Sequence, residues 1–274
     1  EQCCDDGDGG CVPREDALAQ TGCYTKTSPS DYREVTKKMG INVGAGPYRD
    51  DMLSIMRARQ KEGRNVHVIL TSNDLDVARR KNHFGNVLYI QTWDESHYGR
   101  SPRALTRRLY RLGARIVQPA YSASKNGDLP TWYAGGADQD QVALSPQGET
   151  LINGLLEQFI LLDVSHVGTA SALQIIEMAR TLNRPVTANH ANAIGVYDDR
   201  RRNDQCLGGC KSRNHTDEVI CAIARGGGTI GLTPVRFMFA PKHDGTYYAA
   251  SENDFLRHLD YVAKALKCKD GRRT

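Results

Sequence analysis

Two histidines in this sequence have the residue type and the placement that a zinc site requires. His166 ends an apolar run that begins at Ile160, and His190 ends a run that begins at Pro185. About one strand-helix unit separates them, so both imidazoles are expected on adjacent strands at one rim of a sheet. A lone histidine after a strand is more often a hydrogen-bonded rim residue. Two on neighbouring strands favour metal binding, because neutral imidazole is the commonest nitrogen ligand of Zn²⁺.

Apolar runs rich in β-branched residues alternate with amphipathic segments beyond about residue 35 of the chain. Continuous apolar composition is typical of strands that are buried on both faces of a parallel sheet. The predicted strands are 41–47, 66–71, 87–92, 115–120, 160–165, 185–190 and 229–234. Their alternation with helical segments predicts a parallel sheet with crossover helices.

Three of the intervening helices are marked by an apolar stripe or by a start signal. The stripes are expected to face the sheet, and charged residues are expected to face solvent. The stripes are Leu105, Leu109 and Leu112 in the segment 102–112; Leu151, Leu155 and Phe159 after the Ser145-Pro146 start; and Phe255, Leu259, Val262 and Leu266 after Asp254.

Polar residues at strand ends decide between a closed barrel and an open, doubly wound sheet. Gln91, Tyr121, His166 and His190 each lie at or just past the carboxyl end of a predicted strand, which is the active-site face of a (β/α) barrel. Doubly wound sheets typically carry a glycine-rich phosphate loop at an early strand-to-helix turn, and no such loop follows the early predicted strands here. The predicted fold is therefore an α/β, (β/α)8 TIM-barrel-like domain. Ser165 suggests no catalytic triad, since on a strand it would point away from the adjacent His166.

The charge balance argues against a nucleic-acid partner. Lysine and arginine number 36 and aspartate and glutamate 32 among 274 residues, which leaves a formal charge of only +4. No segment approaches the roughly 20 apolar residues that cross a bilayer. We therefore expect a soluble protein without a transmembrane segment, and both a cytoplasmic and a secreted location stay open.

The sequence predicts one barrel domain over 36–274, preceded by an irregular Cys-, Gly- and Asp-rich segment over 1–35. An insertion over 197–211 follows His190 and is a candidate lid or specificity loop. It contains Cys206 and Cys210, two of eight cysteines. A disulfide-tied N-terminal segment and free thiols both stay open. A zinc site made of cysteines alone is less favoured, because no clean pair of C-x2-C motifs appears.

The sequence resembles the membrane (renal) dipeptidase family along most of residues 40 to 266. Asp163-Val-Ser-His-Val resembles the D-[LV]-S-H-V signature of that family. The supporting motifs, in matching order, are Thr71-Ser-Asn-Asp-Leu before Val87-Leu-Tyr-Ile-Gln, Leu109-Tyr-Arg-Leu-Gly-Ala-Arg-Ile-Val-Gln, Leu144-Ser-Pro-Gln-Gly, Asn189-His-Ala-Asn-Ala, and Ser212-Arg-Asn-His-Thr-Asp-Glu before Gly226-Gly-Gly-Thr-Ile-Gly.

The resemblance implies a zinc-dependent hydrolase that cleaves dipeptides, with hydroxide attacking the scissile carbonyl. It assigns His166 and His190 to the second of two zinc ions. Arg213 lies where the family binds the terminal carboxylate of the substrate, a role that suits a guanidinium. Asp163 is a candidate catalytic residue that orients a neighbouring group, or a satisfied buried carboxylate.

The sequence departs from the family pattern at several ligand positions. Gln91 replaces the glutamate that bridges the two metals, and Tyr121 replaces a histidine of the catalytic pocket. Tyr121 could still contact substrate and donate a hydrogen bond to a developing oxyanion. The first-strand H-x-D pair and the eighth-strand aspartate have no counterparts, so the first and eighth strands are expected to be degenerate or missing. Candidates for further ligands are Asp94, Glu95 and His97, and more remotely Asp6 and Asp8.

Two functions remain open from the sequence. The first is a hydrolase of a dipeptide or similar small amide with one or two zinc ions. The second is a catalytically silent barrel that binds a small carboxylated ligand or a partner chain. An incomplete barrel also exposes strand edges, so closure by a homodimer or by the N-terminal segment is expected.

Overall fold

The computed structural model describes residues 61, 65–91, 101–121, 133–137, 139–197, 213–235, 238 and 252–268, and the backbone of five short strands outside these ranges. The strands are β1 (Cys4–Asp5), β2 (Cys11–Val12), β3 (Val43–Pro47), β4 (Val66–Ile69), β5 (Phe84–Ile90), β6 (Ala114–Val117), β7 (Leu161–Asp163), β8 (Val186–Ala188), β9 (Thr229–Ile230), β10 (Lys242–His243) and β11 (Thr246–Tyr247). The helices are α1 (Ser72–Arg80), α2 (Pro102–Arg111), α3 (Pro146–Glu157), α4 (Thr169–Thr181), α5 (Asp217–Arg225) and α6 (Glu252–Ala265), with a 3-10 turn at Ile194–Tyr197.

A parallel sheet of the seven strands β3 to β9 forms the centre of the fold. From β5 to β9 every strand pairs with the next one along the chain, while β3 and β4 both pair with β5. β1 pairs with β2 and β10 with β11 in separate antiparallel pairs. All seven predicted strand segments overlap an observed strand, which confirms the prediction from apolar runs.

The strand order identifies the type of α/β fold. A doubly wound sheet reverses its strand order at a switch point, whereas the strands of a (β/α) barrel follow each other in sequence. Here the order from β5 to β9 runs one way, with helices between consecutive strands. The barrel-like fold is confirmed, and among the described residues the sheet has seven strands, where a closed barrel of this class has eight.

Helices α2 and α3 bury the stripes that the sequence predicts. Leu105 and Leu109 of α2 and Leu151 and Leu155 of α3 are almost inaccessible to solvent and lie in one large core cluster. Each such side chain stabilises the fold by about 1.5–3 kcal/mol relative to an exposed one. Phe159 lies past the end of α3 and is 69% exposed, with the Arg184 guanidinium over its ring.

The buried face of α6 agrees with the predicted stripe at Val262 but differs from it at other positions. Leu259 is 50% exposed and Leu266 is 41% exposed, whereas His258 and Val262 are buried. The Nδ1 atom of His258 accepts a hydrogen bond from the Ala193 backbone N–H at 3.3 Å. A polar residue thus faces the core because the fold gives it a partner, and a hydrophobic pattern does not reveal this.

A disulfide between Cys221 and Cys268 connects α5 to the residues just past α6. It spans 47 residues of sequence. In the chain-entropy treatment a loop of that length contributes about 4 kcal/mol of stability.

Several predicted features lie outside the described residues. They are the side chains of 1–35, the loop residues Asp94, Glu95 and His97, and most of the 197–211 insertion with Cys206 and Cys210. Among the helices that the structure describes, none combines the length and apolar character that crossing a bilayer requires.

Candidate active site

His166 lies in a tight turn directly after β7. Its φ of 62° is in the left-handed region, which non-glycine residues rarely occupy, and the turn is closed by a hydrogen bond from the Val167 N–H to the Val164 carbonyl at 3.0 Å. The side chain is only 3% exposed, and its Nδ1 atom has no hydrogen-bond partner. Strained residues of this kind cluster at functional sites.

His190 lies two residues after β8 and is held by polar neighbours. Its Nδ1 atom is hydrogen-bonded to the side-chain oxygen of Asn189, and its backbone N–H donates to the Ser165 hydroxyl at 3.1 Å. The Nδ1–H tautomer that Asn189 requires leaves the lone pair on Nε2. The ring therefore presents an acceptor electron pair on the side away from Asn189.

Asp163, the last residue of β7, connects the two histidine loops. Its Oδ1 atom accepts hydrogen bonds from the Ser165 N–H, the Ser165 hydroxyl and the Asn189 N–H, at 2.9, 2.7 and 3.1 Å. Its Oδ2 atom is buried without a hydrogen-bond partner and lies 3.9 Å from Nδ1 of His190. The carboxylate is completely buried, so it acts on the site through its neighbours.

The two imidazole rings converge, with centroids 4.8 Å apart. Burial, followed by the proximity of His190, Arg213 and His215, holds the pKa of His166 well below its ordinary value. Burial lowers the pKa of His190 as well, against the opposing effect of the Asp163 charge. Both rings are therefore neutral near pH 7, which is the form that binds a metal ion.

Tyr121 packs on His166, on the side of the ring pair where Arg213 also lies. The Tyr121 ring stacks on the His166 ring with centroids 4.3 Å apart and an interplanar angle of 25°. An Nη1–H of Arg213 donates to the Tyr121 hydroxyl at 3.1 Å, and the guanidinium carbon lies 5.2 Å from the tyrosine ring centre. One cation is thus placed beside the imidazole pair.

Gln91 lies on the opposite side of the pair. It directly follows β5, and its Nε2 atom is 3.1 Å from Nε2 of His190. The amide thus faces the lone pair of that ring, and a rotation by 180° would place its carbonyl oxygen there instead. The six residues that the sequence assigns to zinc, substrate or catalysis therefore lie together, whereas the further ligand candidates lie outside the described residues.

His215 is a site residue that the sequence reasoning missed. It is 3% exposed, its Nε2 atom has no hydrogen-bond partner, and burial followed by the charge of His190 lowers its pKa to about 4. No apolar run precedes it, since it lies between Arg213 and the first turn of α5. Its place in the Ser212-Arg-Asn-His segment was the one available signal.

The donor chemistry fits the histidine half of a zinc site. Two neutral imidazoles stand together, one buried ring nitrogen is without a partner, and an amide lies beside them. Structural and catalytic zinc sites use about three or four protein ligands. Among the described side chains, no three histidine, cysteine, aspartate or glutamate residues form a metal-ligating group.

Comparisons with known proteins agree with the fold and the motifs. A model of the membrane dipeptidase family, peptidase family M19, matches residues 48–266. No curated protein matches the chain.

Three solved structures show the same fold. An amidohydrolase from Pseudomonas aeruginosa superposes with a TM-score of 0.63 at 18% identity, over 85% of this chain and 67% of its own. The dipeptidase AC, a metallopeptidase of family M19, superposes with a TM-score of 0.61 at 18% identity, over 85% of this chain and 71% of its own. The third structure is a metallopeptidase from Rhodobacter sphaeroides, liganded with a phosphinate mimic of the dipeptide L-Ala-D-Ala. It superposes with a TM-score of 0.60 at 19% identity, over 82% of this chain and 62% of its own.

This chain thus spans between 62% and 71% of the length of those three structures. At such identities the likeness concerns the fold alone. The family model, in contrast, matches most of the chain and includes every site residue described above. The protein therefore belongs to the membrane dipeptidase family, peptidase family M19.

Proposed function

We propose that this protein is a zinc-dependent hydrolase that cleaves the amide bond of a dipeptide or a similar small amide. The observation that carries the proposal is the pair of buried, neutral imidazoles at the carboxyl ends of β7 and β8. Membership of the metallo-dipeptidase family supports the same reaction class.

His166, His190 and Gln91 are the residues that would hold zinc. Gln91 would turn its carbonyl oxygen toward the ion, since a metal binds oxygen and not the amide nitrogen. Asn189 and Asp163 fix the His190 ring, so we assign Asp163 a positioning role in the reaction. Zinc in such a site supplies a Lewis acid that polarises a carbonyl group and lowers the pKa of water.

Arg213 and Tyr121 are the proposed substrate-binding residues. The Arg213 guanidinium can pair with the terminal carboxylate of a dipeptide through two parallel hydrogen bonds. The Tyr121 hydroxyl orients that guanidinium in the free protein. Because that hydroxyl accepts from Arg213, its own O–H can still donate to an oxyanion.

Metal analysis of the purified protein, together with hydrolysis of a set of dipeptides, tests the proposal. We expect bound zinc and hydrolysis that a chelator abolishes and added zinc restores. Hydrolysis that persists without metal would contradict the zinc-dependent reaction.

Substitution of a histidine ligand tests the assignment of the site. His166→Ala should lower activity by roughly 100-fold or more, because even the outer partners of metal ligands contribute about 10- to 100-fold. His83→Ala is the matched control, since His83 precedes β5 at the opposite end of the sheet. Unchanged metal content and activity in His166→Ala would overturn the assignment.

A catalytically silent barrel that binds a small carboxylated ligand is the second candidate. It is favoured by the small number of metal ligands among the described residues. Arg213 and Tyr121 would still bind the carboxylate. Calorimetric binding of a dipeptide that depends on Arg213, with no hydrolysis at any zinc concentration, would select this function.

A further inference from the structure

Two buried asparagines join three loops around the site. Asn192 follows His190 by two residues and Asn214 directly follows Arg213, and their exposed fractions are 1% and 5%. Both side chains are hydrogen-bonded to backbone groups. These hydrogen bonds run between the loop after β8, the loop before α5 and the loop after β9.

Asn192 binds the loop after β9 at two points. Its Oδ1 atom accepts from the Thr233 backbone N–H at 3.2 Å, and its Nδ2 atom donates to the Thr233 carbonyl at 3.0 Å. The side chain thus satisfies both backbone groups of one residue. This is the pairing that a neighbouring strand would otherwise supply.

Asn214 binds the other two loops to each other. Its Oδ1 atom accepts from the Asn192 backbone N–H at 3.2 Å, and its Nδ2 atom donates to the Met238 carbonyl at 2.7 Å. The backbones also pair, since the His215 N–H donates to the Asn192 carbonyl and the Ile194 N–H donates to the His215 carbonyl. The loop that carries His190 therefore has a fixed register against the loop that carries Arg213.

We propose that Asn192 and Asn214 form a clamp that sets the distance between His190 and Arg213. Both are positioning residues, and their effect on substrate rests on the proposed function. A dipeptide must place its scissile carbonyl near His190 and its terminal carboxylate near Arg213 at the same time. The span between those two residues therefore decides how well a substrate of that length binds.

Hydrogen exchange tests the clamp itself, without any substrate. In Asn214→Ala the amides of residues 192–194, 215 and 233 should exchange faster, while those of α3 and α4 keep their protection. Asn153→Ala is the matched control, because Asn153 is exposed on α3. Unchanged protection at 192–194 and 233 in Asn214→Ala would overturn the proposal.

Kinetics with two probes tests the positioning role. For alanyl-alanine, Asn214→Ala should raise KM roughly tenfold, because the carboxylate loses its fixed distance to Arg213. For the C-terminal amide of the same dipeptide, which lacks the carboxylate, KM should stay within about twofold. An equal rise in KM for the dipeptide and for its amide would show that the role of Asn214 is merely structural.

A double-mutant cycle completes the test. Once Arg213→Ala has removed the carboxylate partner, adding Asn214→Ala should leave KM unchanged. If Asn214→Ala does not fold, Asn214→Asp keeps the volume and the acceptor for Asn192 and loses the donor to Met238. A wild-type protein that cleaves neither probe refutes the proposed function, and hydrogen exchange then decides the clamp on its own.

Discussion

At the scale of single residues, the site concentrates imidazoles in an environment that disfavours their charge. His166 and His215 are both buried, and each has a ring nitrogen without a hydrogen-bond partner. Arg213 lies close enough to His166 and His190 to lower the pKa of both. A protein gains no stability from such an arrangement, so the arrangement is better explained by the ligand that it prepares for.

The buried His215 makes the stability of the metal-free protein depend on pH. Its pKa is about 4 in the folded protein, against an ordinary value of 6.5 for a solvated histidine, so the unfolded state binds more protons between these values. Stability is therefore fully present above pH 6.5 and is lost as the pH falls toward 4, by about 3 kcal/mol for this residue.

Denaturant unfolding of the metal-free protein at pH 7 and pH 4.5 measures this loss. His215→Leu should show a smaller difference between the two pH values than the wild type, because the substituted side chain cannot take up a proton in the unfolded state. Equal pH dependence in both proteins would contradict the burial of a neutral His215.

At the scale of elements, start signals and apolar stripes were sufficient to locate the helices α2, α3 and α6. Ser145 before Pro146 marks the beginning of α3, and its side chain accepts a hydrogen bond from the Gly148 N–H at 3.0 Å. The structure also requires glycine at position 148, because a β-carbon there would lie 1.8 Å from the Tyr133 carbonyl oxygen. No residue pattern reveals that second constraint, which comes from a segment distant in sequence.

The Ser145 cap gives a prediction with a control in the same fold. Ser145→Ala should lower the free energy of unfolding by about 1 kcal/mol, because the first turn of α3 loses its acceptor. Ser101 occupies the same position before α2 but makes no side-chain capping hydrogen bond, so Ser101→Ala should change stability much less. Chemical denaturation of the three proteins makes the comparison, and equal losses would contradict the role of the cap.

Helix α6 shows where sequence reasoning fails at this scale. The apolar stripe favoured Leu259 as a core residue, yet the helix buries His258 and Val262. The hydrogen bond from Ala193 offsets the cost of burying the imidazole. Hydrophobic periodicity counts apolar side chains and cannot include a polar partner that another loop supplies.

At the scale of the whole molecule, the barrel-like parallel fold and the family were both predictable, because each depends on many residues in sequence order. The parallel sheet, sequential from β5 to β9, and the match over residues 48–266 confirm them. The loops that connect the site could not be predicted in the same way. Asn192, Asn214 and His215 acquire their roles from hydrogen bonds between segments more than 20 residues apart in sequence.

The sheet leads to a prediction about assembly. Among the described strands β9 pairs with β8 alone. A strand edge without a neighbour invites pairing, so we expect either a homodimer or closure by the segment 1–35. Light scattering of the full chain and of a chain without residues 1–35 separates the two. A dimeric mass supports the first. A monomer that loses stability on truncation supports the second, and a monomer that tolerates truncation contradicts both.

The bond between Cys221 and Cys268 has a consequence for cleavage of the backbone. A protease that cuts once anywhere between these cysteines leaves two pieces that still migrate together in electrophoresis. Only a reductant separates them, so the size of the fragments released by reduction would map the cut. Cleavage of the backbone before α6 would therefore leave this helix attached to the rest of the protein through the disulfide.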